Sequence, residues 1–343
     1  ITTVAPALSP AEVERRVTFP IETAMAGVPG QISSRSISRS GFSQVTVVFR
    51  ENTDIYFARQ QVAERLTQVG ESLPQGAEPR VGPISSGLGE VLMWSVSFEP
   101  KPKQVRDGQP GWQSDGSFLT PEGDRLVTEV QKAAYLRTVQ DWIIRPQLTS
   151  TQGVAGVDSI GGYEKQYVVE PDAARMAAYG VSFTELADAL ERANLSVGSG
   201  FVNSGGESLL VRADARLRGV PEVAQAVVTT REGVPVTVAN VAEVTVGGGL
   251  RTRAASLNGR ETVIGTVLMR TGENSRVVAD RVAKRLEEIG RTLPPGVDVQ
   301  VVYDRSKLVN ATIKTVEKNL AEGALFVIAV LFLLLGNIRA ALI

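Results

Sequence analysis

The chain has 343 residues, 43% hydrophobic and 21% charged, with a formal net charge of -1: the proportions of a globular protein with two or three domains. No long basic run is present, so nucleic acid has no electrostatic footprint to meet. Cysteine and histidine are both absent, which removes disulfides, thiolate sites, the usual general base and the commonest nitrogen metal ligand; a metal would have to use oxygen, or the sulfur of four methionines.

In chain order, Ile1–Ala7 predicts a short strand. Ser9, Pro10 and Glu12 fit the N-cap, N1 and N3 positions of a capping box. They open a helix that runs towards Ala26, with Pro20 interrupting it, and stops at Gly27-Val28-Pro29-Gly30. Ile32–Ser38 and Phe42–Phe49 read as strands joined by the turn Arg39-Ser40-Gly41. Asp54 caps a helix over Ile55–Gly70, and a last strand ends in Pro79–Pro83. The order βαββαβ is the split-βαβ or ferredoxin-like pattern.

After a linker at Ser85–Gly89, Glu90–Phe98 is a strand. Glu99–Arg125, rich in Pro, Gly, Lys and Asp, predicts a mobile surface insertion. Ala133–Leu148 is a helix with Tyr135, Val139, Trp142 and Ile143 on its apolar side, and Val157–Tyr163 is a strand broken by Gly161-Gly162. The matching half comes only later: strand Glu261–Met269, cap Asn274, helix Ser275–Ile289 and strand Val297–Tyr303. Between the halves, Glu164–Leu250 predicts a small α+β subdomain. Phe183–Asn194 reads as a helix, with short β segments around it at Tyr167–Glu170, Ser208–Val211, Val223–Thr229, Val234–Val238 and Glu243–Val246. Ser196–Gly206 is rich in Gly, Ser and Asn and reads as a flexible arm.

An internal repeat supports this division. Gln61–Val81, QVAERLTQVGESLPQGAEPRV, returns at Arg281–Val301 as RVAKRLEEIGRTLPPGVDVQV, without gaps. Both copies read as an amphipathic helix, a Gly stop, a Leu-Pro-x-Gly turn and a strand. The fold class is therefore α+β, with two ferredoxin-like βαββαβ subdomains. Their expected extents are 1–86 for the first, 87–163 with 251–305 for the second, and 164–250 for the inserted subdomain. Residues 306–343 form an amphipathic lead-in and a strongly apolar end, Gly323–Leu335 being uncharged. That run is short for a bilayer, which needs ~20 residues, and a buried core helix is the alternative. The intensity of the run and Arg339 beyond it favour a transmembrane helix with Arg339 on the cytoplasmic side. The chain starts without Met or a signal peptide and is read as part of a longer one.

Several long runs carry a family resemblance: SPAEVERRVTFPIETAMAGVPG (Ser9–Gly30), SRSGFSQVTVVF (Ser38–Phe49), TDIYFARQQVAERL (Thr53–Leu66), GPISSGLGEV (Gly82–Val91), SIGGYEKQY (Ser159–Tyr167), GENSRVV (Gly272–Val278) and LGNIRAALI (Leu335–Ile343). The chain resembles the heavy-metal efflux branch of the resistance–nodulation–division (RND) transporters, the cobalt–zinc–cadmium type, along nearly its whole length. Gln104–Val130 is longer than that family leads one to expect. The resemblance implies a proton-driven inner-membrane antiporter exporting divalent cations; without His or Cys no acid–base or nucleophile constellation is present, so neither an enzyme nor a bound cofactor is expected. It implies a homotrimer completed by a periplasmic adaptor and an outer-membrane channel. This chain would be the first periplasmic loop, two porter subdomains and a docking subdomain, with the second transmembrane helix. On the same resemblance, Ser196–Gly206 and its flanks, in the subdomain the family uses for docking, would contribute to trimer contact.

Glu90 opens the first strand of the second porter subdomain, and Asp158 lies on its second strand, on the face of Ile160. In RND pumps the corresponding strands line the substrate cleft, so Glu90 and Asp158 are the candidate metal contacts. Zinc- or cobalt-class ions accept carboxylate oxygen, and two carboxylates form an incomplete site that can release its ion. The plainer reading of each is a solvated surface carboxylate. Asp141 is better read as a capping or salt-bridge residue, and Met93 and Met269 as core filling on neighbouring strands. Gly161-Gly162, Gly205-Gly206 and Gly247-Gly248-Gly249 match no phosphate loop. Two competing functions remain: an RND pump for organic solutes, which 6% aromatic content and Asp158 disfavour, and a periplasmic binding or assembly module without transport.

Overall fold

The two copies of the repeat fold alike in the computed structural model, which describes residues 1–85, 89–194, 196–204, 207–214, 217, 219–231, 233–249, 251 and 253–335. Asp54 accepts the Phe57 N–H, and Asn274 accepts those of Arg276 and Val277; each then opens a 16-residue helix, Ile55–Gly70 and Ser275–Gly290. Past each helix a hydroxyl turns back onto the last turn: Ser72 donates to the Val69 carbonyl at 2.7 Å, Thr292 to that of Ile289 at 2.8 Å. Gly76 and Gly296 adopt φ of +82° and +81°, which an L side chain strains to reach. The N–H groups of Ala77 and Val297 then close the turns onto Pro74 and Pro294. The offset between copies (281 − 61 = 220) also holds upstream, because strands Phe42–Phe49 and Arg260–Met269 end in register (49 + 220 = 269).

The chain divides into two units, Ile1–Gly89 with Leu268–Glu273, and Glu90–Val267 with Asn274–Ile343. The first contains a four-stranded sheet in the order Gln31–Arg39, Phe42–Phe49, Thr2–Val4, Glu78–Arg80, all neighbours antiparallel. This is the ferredoxin-like order that βαββαβ predicts. Ser9 and Glu12 form the expected capping box over Pro10–Val13. Pro20 does not interrupt the helix. A π turn over Glu14–Thr18 comes first, with Phe19 N–H bonded to the Glu14 carbonyl, and Phe19–Met25 continues. The wider turn absorbs the proline ring and its missing N–H. Val13, Val17, Ile21 and Met25 then bury against Val45, Val62 and Leu66.

In the second unit the sheet runs Ala255–Leu257, Arg260–Met269, Glu90–Phe98, Val297–Asp304, and Val154–Ile160 also pairs with Arg260–Met269. The same order of helices and strands thus recurs. So does the proline device: Glu129–Thr138, a π turn over Val139–Ile144, then Arg145–Thr149 with Pro146 near its start. Thr23 and Thr149, each three residues past its proline, donate to the carbonyls of Phe19 and Arg145 at 2.8 Å. Duplication therefore reaches the first half of each unit, at a different offset (146 − 20 = 126), where few side chains coincide. The π turn also changes the helical phase. Val139, Gln140 and Ile144 are buried, while Trp142, expected on the apolar side, is 76% exposed.

The insertion expected to be mobile is instead a packed three-stranded sheet of Gly111–Trp112, Phe118–Leu119 and Arg125–Leu126. Phe118 and Thr120 are buried in it. Phe118 meets Phe98 at 4.4 Å between ring centroids and Tyr135 at 6.2 Å. Polar composition misled here because Asp107, Asp115 and Gln113 satisfy the turns of the insertion rather than solvent.

In the inserted subdomain, Lys165–Pro171 and Ala242–Gly248 pair antiparallel along their whole length. Beyond them Met176, Val181, Leu186, Ala189, Val228, Val236 and Val238 form a separate core. Phe183–Ala193 is the expected helix, capped by Ser182 and Glu185. Two expectations change. Val223–Thr229 is not one strand: Val220–Gln225 is helical and Val227–Arg231 is the strand. Ser196–Ser204 is not a free arm but pairs with Glu207–Asp214; Gly205 and Gly206 lie outside the described residues.

Arg305–Leu335 is one continuous helix. Its apolar run spans 13 residues (335 − 323 + 1), about 20 Å at 1.5 Å per residue, against about 30 Å of hydrocarbon. No helix among the described residues is long and apolar enough to cross a membrane, so they do not carry the expected transmembrane helix, and 336–343 lies outside them. The buried-core alternative is not met either: Leu325, Phe326 and Leu333 are exposed.

Candidate functional site

Glu90 and Asp158 are both exposed, Glu90 as the first residue of Glu90–Phe98 and Asp158 within Val154–Ile160. Strand Arg260–Met269 lies between the two strands. Two strand spacings separate them, roughly 10 Å across the sheet. They also point to opposite faces. Trp94, an even number of residues from Glu90, donates its indole N–H to Gln140 on the helical side. Ser159, the neighbour of Asp158, bonds to that same helix, so Asp158 turns away from it. The structure does not bring the two carboxylates into one site. Among the described residues no group of three Asp, Glu, His or Cys side chains is arranged to hold a metal ion.

What the helical side does contain is a polar relay that the sequence did not reveal. Trp94 Nε1 donates to Gln140 Oε1 at 2.9 Å, and Gln140 Nε2 to Ser159 Oγ at 3.3 Å. Ser159 Oγ donates to Asp141 Oδ1 at 2.6 Å, and Arg137 pairs with the other carboxylate oxygen. Arg137 also donates to the Gly161 carbonyl at 2.9 Å. Asp141 is thus the ion-pair residue its helical position suggested. Gln140 is fully buried, and a buried amide needs such partners. The relay holds the strand bearing Asp158 to the helix.

Glycine makes this packing possible at one point. A Cβ on Gly265 would stand 2.3 Å from the Trp94 ring. Met25 and Met176 are core residues; Met93 and Met269 are partly buried on adjacent strands.

Among the described residues, two of the cavities beside the insertion and the relay have charged linings. One, about 450 Å³, has Phe98, Trp112, Leu136 and Val263 as its apolar wall and Glu99, Glu129, Lys132 and Arg260 among its charged lining. Lys132 pairs with Glu129 and lies 5.2 Å from the Trp112 ring centroid. The other, about 300 Å³, is lined by Arg137, Arg251, Arg253, Glu164, Ser159, Tyr163 and three glycines. Neither includes Glu90 or Asp158. In the insertion, hydrogen bonds from the Ser117 hydroxyl and N–H, with the Arg125 guanidinium nearby, hold the Asp115 carboxyl at about 2. Burial first, then Glu122 and Asp124, push the Tyr135 phenol up.

Over its whole length, residues 1–343, the chain matches the AcrB/AcrD/AcrF family. It belongs to that family. Nickel-cobalt-cadmium resistance protein NccA of Alcaligenes xylosoxydans xylosoxydans is 62% identical over 346 residues, covering 100% of this chain and 32% of that protein. Nickel and cobalt resistance protein CnrA of Cupriavidus metallidurans is 59% identical, again over 100% of this chain and 32% of that protein. A crystal structure of a heavy metal efflux pump superposes with a TM-score of 0.82 at 30% identity, covering 99% of this chain and 31% of that one. The chain spans about a third of the length of these relatives. The heavy-metal RND resemblance and the α+β fold class read from the sequence are both borne out.

Proposed function

We propose that this chain is the porter and docking portion of a proton-driven RND pump that exports divalent heavy-metal cations. The observation that carries the reading is 62% identity over the full chain to a nickel-cobalt-cadmium resistance protein. A homotrimer, a periplasmic adaptor, an outer-membrane channel and placement of most of the chain in the periplasm, beside the inner membrane, belong to the same proposal. So does a membrane-embedded end for the helix that begins at Arg305, whose apolar side chains Leu325, Phe326 and Leu333 are exposed.

Within this reading Asp158 and Glu90 act as separate contacts along a cation's route. Each offers anionic oxygen, the ligand type open to a chain without histidine. Neither is tied up by an ion pair among the described residues, so either can exchange water for a passing ion. Further ligands come from segments beyond this chain. The relay through Gln140, Ser159 and Asp141 sets where Asp158 stands. The pairing of Ser196–Ser204 with Glu207–Asp214 gives the docking subdomain an extended element for trimer contact.

Growth of cells carrying the full-length gene tests the reading. It predicts protection against nickel, cobalt, zinc or cadmium salts and none against organic solutes. Protection against organic solutes alone would favour the drug-pump alternative.

A further inference from the structure

The 300 Å³ cavity has a lining that the export reading does not use. Three arginines reach it from two segments: Arg137 from the helix Glu129–Thr138, and Arg251 and Arg253 from the stretch after Ala242–Gly248. It lies at the root of the two strands that join the inserted subdomain to the rest of its unit. The rest of the cavity lining is Ser159, Tyr163, Glu164, Gly249 and the pair Gly161-Gly162. Gly161 and Gly162 have φ of +87° and +64°. A Cβ would meet the Thr262 carbonyl oxygen at 2.5 Å from the first and the Ala133 carbonyl oxygen at 2.8 Å from the second. Glycine is therefore required at both positions, where the backbone packs directly against its neighbours.

Two of the guanidinium groups are held in place before any ligand arrives. Arg137 is oriented by Asp141 and the Gly161 carbonyl. Arg251 lies 4.7 Å from the Tyr163 ring centroid and pairs with Glu261, and Tyr163 in turn packs against Gly248. An arginine has five N–H donors, and these contacts use only some of them. Arg253 makes no ion pair among the described residues. Glu164 also lines the cavity, its one carboxylate among the described residues. Planar guanidinium forks of this kind match oxyanions in a bidentate manner.

We propose that this cavity binds a small oxyanion of the phosphate or carboxylate class, held by Arg137, Arg251 and Arg253. At roughly 30 Å³ per water, it has room for such an ion with several waters. Asp141 and Glu261 stand behind two of the arginines and temper the field, so binding is modest and weakens with salt. Occupancy ties Arg251 and Arg253 to the Gly161–Tyr163 stretch, and so stiffens the base of the inserted subdomain.

The test is calorimetric titration of the purified full-length protein with inorganic phosphate and, in a separate arm, with succinate, chloride at matched ionic strength serving as control. Hydrogen exchange over 159–164 is followed in parallel. Saturable binding in one arm or both is expected, the stronger arm naming the class, with slower exchange over 159–164. Arg251→Gln and Arg253→Gln should each weaken binding about tenfold, the loss of a charge-assisted contact. Arg253 is exposed and without an ion pair among the described residues, so its variant should fold normally. No saturable heat in either arm, or wild-type affinity in both variants, would overturn the proposal.

Discussion

The two copies of the repeat share their punctuation and differ in their packing. Cap, helix length, glycine stop and the hydroxyl bond past the helix match position for position. Around them the neighbours diverge. A Cβ on Gly76 would meet nothing within 4 Å, whereas one on Gly296 would stand 3.0 Å from the Phe118 ring of the insertion. The strand after the turn has 3 residues in the first copy and 8 in the second. At the same offset of 220, Val45 fills its own space in the first unit, while Gly265 yields that space to the Trp94 ring in the second. Local signals written in the repeat set where elements start and stop; what surrounds them sets how they are held.

The sharpest way to break this comparison is at Phe118. Phe118→Ala should cost about 3–5 kcal/mol in unfolding of the second unit and leave hydrogen exchange of the helix Ile55–Gly70 unchanged. Equal loss of protection in both repeat helices would show that the insertion is not specific to the second copy. Gly265→Ala comes next. It should cost about 1–3 kcal/mol by overpacking against Trp94, seen as a lower Tm and a shifted Trp fluorescence. An unperturbed variant would mean the sheet can widen there. Smaller still, Asp54→Ala and Asn274→Ala should each cost about 1 kcal/mol, read by denaturant midpoints. Similar values would sharpen the claim that the copies share their punctuation.

The smallest effect concerns pH. Asp115 is depressed in the folded state to about 2 from an ordinary 3.8. A depressed carboxylate contributes stability that is present above the unfolded value and lost as pH falls through the folded one. The insertion, which has no counterpart in the first unit, should therefore loosen between about pH 4 and pH 2. Asp115→Asn should remove that part of the acid dependence in near-ultraviolet circular dichroism of the Phe98–Trp112–Phe118 cluster. An unchanged acid profile would assign the dependence to other carboxylates.

Much of the fold was legible because caps, glycine stops and strand alternation act over a few residues. Ser9 with Glu12, Asp54, Asn274 and the Leu-Pro-x-Gly turns all behave as the sequence indicates. The π turns before Pro20 and Pro146 were not legible, because a one-residue widening leaves no local composition signal and moves Trp142 off the buried face. The insertion was misread because its polar side chains bond to one another's turns. At the candidate site, sequence placed Glu90 and Asp158 on the right strands, but not on their faces. That depends on the register of a strand, Arg260–Met269, far away in sequence. The relay from Trp94 to Arg137 joins residues 43 apart (137 − 94) and has no local signature.

The central claim is that exposed carboxylates of the second porter subdomain meet a divalent cation in transit. It is tested most directly by nickel or cobalt flux in proteoliposomes containing the full-length pump, comparing wild type with Asp158→Asn and Glu90→Gln while unfolding temperature is measured alongside. Loss of one anionic oxygen should weaken apparent cation affinity by roughly one to two decades, the worth of a charge-assisted contact. Unfolding should hardly change, since exposed carboxylates contribute little to stability. Wild-type flux in both variants, or a large fall in unfolding temperature that explains the lost flux, would contradict the account.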